Sequence, residues 1–387
     1  MHLAEKIGNT QGLATQIREK AMTGKIAKVY IGICVCVSMA AILALLFCSG
    51  NTNGQVSQTA QQMSETQPGQ ESAPEQKESQ NEVFVHADTL PEGSISLRLP
   101  DTIDAQQVQI TSDDMKKQIQ IALPKEAQSL TGTYFAGHPL EENAKVLDAA
   151  VTETKHTVSV VLTLPTVYAW EEEYTADSDG MLLTLHLVRP KDKYGKVIVL
   201  DAGHGGEDSG ICAGLPDEEE EELAEKDIAL AIVLAAGERL TEQGIYVYYT
   251  RKEDVNPTAK ERVALANDTS ADLLVSIHAD SDEDTSLYGM RTVYNSTYFI
   301  PDFGSADLAY LLLEKVAAKT NEKAIGLEAD NGQIYLLQNA MMPVSQLNVG
   351  YLSNRQEQKL LRKQDYIRKI ADGVADCVLA SYEEMKQ

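Results

Sequence analysis

Two short apolar segments, each leading into a histidine, constrain the fold of this chain more than any other feature. The first is residues 196–208, where a four-residue apolar run is followed by His204 and three glycines. The second is residues 273–280, where another apolar run leads to His278. Reactive groups gather at the carboxyl ends of strands in open α/β sheets, and glycine lets backbone and ligand approach closely there. The pattern therefore predicts two buried strands that bring two histidines to one edge of a sheet.

A carboxylate lies between these histidines in the sequence. Residues 223–230 open an amphipathic helix with Glu225 in its first turn. Two histidines and one carboxylate, with one coordination position left open, are a typical ligand set for catalytic zinc. We therefore predict that His204, Glu225 and His278 bind one zinc ion. The six acidic residues at 217–222 could supply the carboxylate instead; such a run is usually a solvated loop, and an acidic flap over the site is the sharper hypothesis.

Seven short segments of the C-terminal half carry a family resemblance. They are residues 200–206, 224–230, 250–251, 261–267, 276–279, 342–343 and 350–354. With these segments in the family's order, the stretch from residue 197 to about 381 resembles the zinc-dependent N-acetylmuramoyl-L-alanine amidases. These enzymes cleave the amide between the lactyl group of muramic acid and the stem peptide of peptidoglycan. The resemblance implies zinc as cofactor, peptidoglycan as substrate, and His204, Glu225 and His278 as zinc ligands.

The chain departs from this family at the catalytic carboxylate. The family has Val-Glu-Leu-Gly-Phe-Leu-Ser-Asn near its end, and this chain has Asn348 where that glutamate stands. An asparagine side chain has no titratable proton near neutrality, and a general acid or base contributes about 10²- to 10⁴-fold in rate. Glu328, on the segment leading to the predicted strand of Asn348, is the candidate substitute base. The alternative interpretation of Glu328 is an exposed loop residue.

Two functions of different class follow from these residues. The first is a membrane-tethered zinc amidase that hydrolyses peptidoglycan. The second is a catalytically degenerate amidase that keeps zinc and the substrate groove but acts as a wall-binding or regulatory protein, because of Asn348. The retained ligand set favours the enzyme, since a structural relic has little need of an open zinc site.

The first 82 residues predict a membrane anchor followed by a tether. Residues 29–48 are twenty consecutive uncharged residues, the length that a helix needs to cross a bilayer. Residues 1–28 carry five basic and two acidic side chains, which places them in the cytoplasm and everything after residue 48 outside. A cleaved signal peptide is the alternative, although its apolar region runs only about 7 to 15 residues. Residues 49–82 contain almost no large apolar side chain, so we predict a disordered linker.

Charge and cysteine content exclude further classes of protein. The net charge is −25, and the basic first 28 residues leave −28 on the remainder, so the chain is not expected to bind nucleic acid. Only Cys212 and Cys377 follow the apolar segment. Two cysteines do not make a disulfide scaffold, and the sequence leaves open whether they pair. We expect a single-pass protein of the cell membrane with extracytoplasmic C-terminal domains.

Two folded domains are predicted after the linker. Residues 83–190 contain short segments of period-two alternation, at 94–99, 107–110, 118–123, 157–162 and 181–187, which predict a small β-sandwich. Its position before the enzyme-like domain is similar to that of the AMIN domain of many amidases, which binds wall or septal components; a spacer domain is the alternative. Residues 196–387 alternate strand and helix patterns, which predicts an α/β domain with a mostly parallel sheet and helices on both faces.

The predicted elements of the second domain are specific enough to test. Predicted strands are 197–200, 245–249, 273–277, 290–294, 333–337 and about 345–349, and predicted helices are 225–242, 258–267, 305–320 and 364–384. Gly244 is expected to end the first of these helices in a left-handed conformation.

Overall fold

A computed structural model of the protein describes residues 93–100, 102–124, 135–137, 148–177, 180–214, 222–297 and 300–386. The predicted cytoplasmic segment, membrane span and linker, together residues 1–82, lie outside these ranges. Within them, none of the helices combines the length and apolar character that a membrane crossing requires.

The N-terminal part of the described chain is a β-sandwich. Its strands are β1 (Ser94–Leu99), β2 (Gln109–Asp113), β3 (Gln118–Pro124), β4 (Phe135–Gly137), β5 (Asp148–Glu153), β6 (Thr157–Thr163), β7 (Ala169–Asp177) and β8 (Gly180–Val188), with a 3-10 turn at Ala105–Gln107. They form two antiparallel sheets with the orders β4-β1-β8-β7 and β2-β3-β6-β5. Alternate apolar residues of β1, β3, β6 and β8 fill one shared core, as period-two patterning requires.

The sequence pattern found five of these strands and missed β4, β5 and β7. Strand β7 was missed because it carries three consecutive glutamates, Glu171 to Glu173, which hide its alternation. It lies at an edge of its sheet, where polar side chains can face water.

The C-terminal part is an α/β domain built on a six-stranded sheet. Its strands are β9 (Val197–Ala202), β10 (Cys212–Ala213), β11 (Leu223–Ala224), β12 (Tyr246–Tyr249), β13 (Leu273–Asp280), β14 (Met290–Asn295), β15 (Ala324–Asp330) and β16 (Val344–Tyr351). Its helices are α1 (Pro190–Tyr194), α2 (Glu225–Glu242), α3 (Ala259–Asp268), α4 (Ser305–Thr320), α5 (Tyr335–Asn339), α6 (Arg355–Leu361) and α7 (Gln364–Glu384).

The main sheet has the order β12-β9-β13-β16-β14-β15, and β10 and β11 pair as a separate ribbon. Its neighbouring strands run parallel except for β14 and β16. Helices α2, α4 and α7 share an apolar core with one face of the sheet, and α3 and α5 share another with the opposite face. The predicted mostly parallel sheet with helices on both faces is therefore confirmed. Burial on both sides explains why β9 is apolar without alternation.

The boundaries of α2, α4 and α7 agree with the predicted helices to the residue. Gly244 follows α2 with φ of 75°, and the amide of Ile245 donates to the carbonyl of Leu240 to close the helix end.

One predicted element is wrong. Residues 333–337 do not form a strand; α5 begins at Tyr335, and the strand of this region is β15. A short apolar run such as residues 334–337 fits helix and strand equally well by periodicity. The tertiary structure decides, because the Asp330 carboxylate accepts hydrogen bonds from the amides of Gln333 and Ile334 and from the side chain of Gln338. These bonds turn the chain into a helix.

Candidate metal centre and active-site cleft

His204 stands just beyond the carboxyl end of β9 in an uncommon backbone conformation. Its φ is 58°, a left-handed value that costs free energy in a residue with a Cβ and is found most often at functional sites. The side-chain Nδ1 lies 2.9 Å from Oδ2 of Asp208. Because Asp208 accepts a hydrogen bond at Nδ1, the ring turns its other nitrogen, Nε2, toward Glu225.

Two arginines from distant segments hold this left-handed turn in place. Arg262 donates to the carbonyls of Ala202 and His204, and Arg251 donates to the carbonyl of Gly203. Arg262 also pairs with the fully buried Asp201 at 2.8 Å. Hydrogen bonds from a charged donor to backbone carbonyls are stronger than neutral ones, so the strain at His204 is offset by its surroundings.

Glu225 is the first residue of α2 and is almost completely buried. One oxygen accepts from the amide of Ala279 and the other from the amide of Ile211, both at 2.9 Å. Burial alone would raise the pKa of Glu225, but hydrogen bonds from His204 and His278 outweigh it and hold the pKa far below its usual value. The positive end of the helix dipole supports the same charge state. Glu225 is therefore a carboxylate at every physiological pH.

The two predicted histidines and Glu225 converge as the sequence suggested. Glu225 Oε1 lies 2.9 Å from Nδ1 of His278 and 3.2 Å from Nε2 of His204, and one ligand atom from each of the three residues lies within 4.8 Å of the others. Ligand atoms of a tetrahedral zinc site are about 3.3 Å apart, given bonds of about 2 Å. The three side chains therefore fit a metal ion with little rearrangement.

Two glycines make this close packing possible. A Cβ at Gly203 would overlap the imidazole of His278, and a Cβ at Gly210 would overlap the carboxylate of Glu225 and the ring of His204. Any larger residue at either position would push a candidate ligand out of place. In the sequence, the sign of this close packing was the cluster of glycines around His204. The cluster did not show which side chains pack against these glycines.

Asn348 faces the same cleft from the neighbouring strand. In the register of β13 and β16 it pairs with His278, and its side chain is buried. Its Nδ2 donates to Oδ1 of Asp280 at 2.7 Å, and its Oδ1 accepts from Nε2 of Gln346 at 2.8 Å. One acceptor and one donor therefore fix the orientation of the amide. A carboxylate could accept the same hydrogen bond from Gln346 but could not donate one to Asp280.

Asp280 and Arg291, which the sequence analysis did not single out, complete this wall. Arg291 lies opposite Asn348 in the register of β14 and β16. Its Nε and Nη2 donate to the two oxygens of Asp280 at 2.6 and 2.8 Å. No local motif marks these residues, because Asp280 and Arg291 belong to strands that the fold separates by β16.

Glu328 lies at the far side of the cleft, on the edge strand β15, and its side chain is more than half exposed. It pairs with Nη1 of Arg291. Strand β15 is two positions away from β16, which corresponds to roughly 10 Å at the usual strand spacing. The role of Glu328 as a substitute base stays a prediction.

These residues line one open cleft of about 520 Å³. Its floor is polar, with the histidines at one end and Arg291 and Glu328 toward the other. Of the predicted acidic flap, residues 217–221 lie outside the described ranges and Glu222 is exposed. Cys212 is exposed on β10 and Cys377 is buried in α7; both are free thiols.

Known proteins resemble this half of the chain. Residues 198–380 match the N-acetylmuramoyl-L-alanine amidase family. The germination-specific N-acetylmuramoyl-L-alanine amidase of Bacillus subtilis strain 168 is 30% identical over 204 residues, covering 49% of this chain and 81% of that protein. The uncharacterized protein YqiI of the same organism is 30% identical over 190 residues, covering 49% and 86%. The catalytic domain of CwlV, an N-acetylmuramoyl-L-alanine amidase from Paenibacillus polymyxa, is 31% identical with a TM-score of 0.44, covering 49% and 98%.

Proposed function

This chain belongs to the N-acetylmuramoyl-L-alanine amidase family, and we propose that it is a zinc-dependent member in which Asn348 slows the chemical step. It hydrolyses the amide between N-acetylmuramic acid and the L-alanine of the stem peptide in peptidoglycan. The observation that supports zinc is the convergence of His204, Glu225 and His278 within 4.8 Å. Two nitrogens and one oxygen are a donor set that suits zinc, and the open cleft leaves room for water and substrate.

The chain's own residues would prepare this site in three ways. His204 and His278 present ring nitrogens, and the buried Glu225 adds the negative charge that favours a divalent cation. Asp208 fixes the orientation of the His204 ring, which raises its basicity as a ligand. Zinc, when bound, would supply a Lewis acid for the amide carbonyl and lower the pKa of a bound water.

The described part of the cleft lacks a well-placed acid or base for the proton-transfer step. Asn348 cannot accept a proton, and its amide instead donates to Asp280. Asp280 is a poor replacement because both of its oxygens already accept hydrogen bonds from Arg291. We therefore expect turnover slower by about 10² to 10⁴ than with a positioned acid or base.

A second candidate function rests on the same residue. If no group replaces the missing carboxylate, the protein binds metal and wall material and acts as a wall-binding or regulatory protein. Asn348 is the observation that favours this alternative. Slow but measurable release of stem peptides, dependent on zinc, would exclude it.

The test uses the full-length purified protein. Peptidoglycan and a synthetic muramoyl peptide are incubated with it, released products are identified by mass spectrometry, and bound metal is measured. We expect about one zinc per chain, and we expect His204→Ala and His278→Ala to lose both zinc and activity. His186→Ala is the matched control, because His186 lies in the β-sandwich and pairs with Glu173. Zinc retained in both cleft variants would refute the site.

We also propose that residues 29–48 anchor the protein in the cell membrane with residues 1–28 inside, and that the β-sandwich is AMIN-like and binds the wall. The basic segment followed by twenty uncharged residues supports the anchor. Protease added to intact protoplasts should remove the folded domains and spare an N-terminal tag. A secreted form that begins near residue 49 would contradict the anchor.

A further inference from the structure

Arg291 is the one lysine or arginine among the described residues that line the cleft. It sits among several carboxylates, Glu225, Asp280, Glu328 and Asp330, in a chain whose net charge is −25. The carboxylates and the net charge do not attract anions to this cleft in general. Arg291 can therefore bind an anion here only through a specific contact. Its position suggests recognition of one negative group.

The two edges of the Arg291 guanidinium have different surroundings. The edge formed by Nε and Nη2 binds Asp280, whose side chain is 11% exposed. Nη1 binds Glu328, whose side chain is 54% exposed. An exposed ion pair contributes at most about 1 kcal/mol, whereas a shielded bidentate pair is held more firmly. Glu328 is therefore the partner that can be exchanged while Asp280 keeps Arg291 in place.

Resting on the proposed amidase function, we propose that Nη1 of Arg291 binds a free carboxylate of the stem peptide, and that Glu328 occupies this place until substrate displaces it. The ligand class is a carboxylate on the peptide side of the scissile amide. The glycan side offers hydroxyl and acetamide groups, since the lactyl carboxyl of muramic acid is consumed in the amide itself.

The distance from the metal site fits a group near the scissile bond. His278, Asn348 and Arg291 are register partners on the adjacent strands β13, β16 and β14. Two strand spacings place the backbone of Arg291 roughly 10 Å from β13, and its guanidinium reaches back to Asp280 of that strand, so 10 Å is an upper limit. An extended peptide spans about 3.3 to 3.6 Å per residue, so the carboxylate belongs to one of the first three residues of the stem.

Glu328 and a substrate carboxylate compete for the same donor in this arrangement. Removing the charge of Glu328 should therefore improve binding of a carboxylate substrate. A base at Glu328 predicts the opposite, because its loss would lower kcat. The direction of the effect of Glu328→Gln separates these two roles.

The experiment compares two synthetic muramoyl peptides that differ only in a free carboxylate or a primary carboxamide at the same stem residue. For the wild-type full-length protein we expect a KM about tenfold lower for the carboxylate, since a hydrogen bond to a charged group contributes at least that factor. Glu328→Gln should lower KM for the carboxylate several-fold more than KM for the carboxamide. Arg291→Lys, which keeps a cation beside Asp280, should abolish the preference. Glu314→Gln is the control, because Glu314 is an exposed, ion-paired glutamate of α4.

Equal KM values for the two peptides in the wild type would overturn carboxylate recognition. A fall in kcat in Glu328→Gln, without a change in KM, would overturn the exchange and identify Glu328 as the proton-transfer group. If zinc-loaded wild type cleaves neither peptide, the amidase function fails separately. Calorimetric titration of the uncleaved peptides then decides the inference, since the same preference and the same variant effects must appear in Kd.

Discussion

Replacing Asn348 with glutamate restores the family's carboxylate in a cleft whose hydrogen bonds now fit an amide. The new side chain can still accept the hydrogen bond from Gln346, but it loses the donor that now binds Asp280 at 2.7 Å. It also brings a second carboxylate next to Asp280 in a buried place. The substitution should therefore change stability and catalysis in opposite directions.

The stability cost follows from the lost hydrogen bond. Hydrogen bonds to charged groups contribute about 1.5 to 3 kcal/mol, and 1 kcal/mol shifts Tm by about 2 to 4 °C in a domain of this size. We expect Asn348→Glu to lower Tm by about 3 to 12 °C. The new carboxylate can accept and return a proton, which the amide cannot. We expect kcat to rise by about 10² or more.

Initial rates of stem-peptide release, measured from pH 5 to 9 with zinc content and Tm determined on the same samples, test both parts. Asn348→Gln is the matched control, because it has the length of glutamate and no titratable group. An equal gain in the glutamine variant would show that side-chain length matters and proton transfer does not. A folded, zinc-loaded glutamate variant that is no faster than wild type would refute the assignment of this position.

Three further predictions concern the metal centre. Asp208→Asn should weaken zinc about 10- to 100-fold in a chelator competition, because it loosens the ring of His204, whereas the exposed neighbour Glu207→Gln should have no effect. Gly203→Ala should lose zinc because its methyl group overlaps an imidazole, whereas Gly214→Ala, with open space around it, should bind normally; equal zinc content would contradict the packing argument. Chelation should lower the Tm of the wild type, since zinc at 100 times its Kd adds about 2.7 kcal/mol, and should leave His204→Ala unchanged.

The three candidate ligands could be predicted from local patterns together with the family resemblance. His204 and His278 each follow a buried apolar run, and Glu225 begins a helix whose first turn is marked by its own periodicity. Parallel strands that enter one sheet bring their carboxyl ends together whatever the loops between them do. Three positions spread over 75 residues could therefore be placed in one site without knowing any tertiary contact.

The wall opposite the histidines could not be predicted in this way. Arg291 meets Asn348 only because β14 joins the sheet antiparallel to β16, and Glu328 meets Arg291 only because β15 adds to the edge. The apolar run after Glu328 fits helix and strand alike, so the pattern predicted a strand where α5 forms. Arg262 likewise gave no signal of its partner, since it pairs with Asp201 from 61 positions away.

The β-sandwich contacts the α/β domain through α3 and the start of the sheet. Lys117 of the sandwich pairs with Asp268 at the end of α3. Val167, between β6 and β7, is buried in the core beneath α3 and α5. All of these contacts lie at the amino ends of the parallel strands.

The histidines and Asn348 lie at or near the carboxyl ends of those strands. None of the described residues of the sandwich lines the cleft. If the sandwich binds a wall polymer, as we propose, the candidate metal ligands stay free to meet another part of the same polymer.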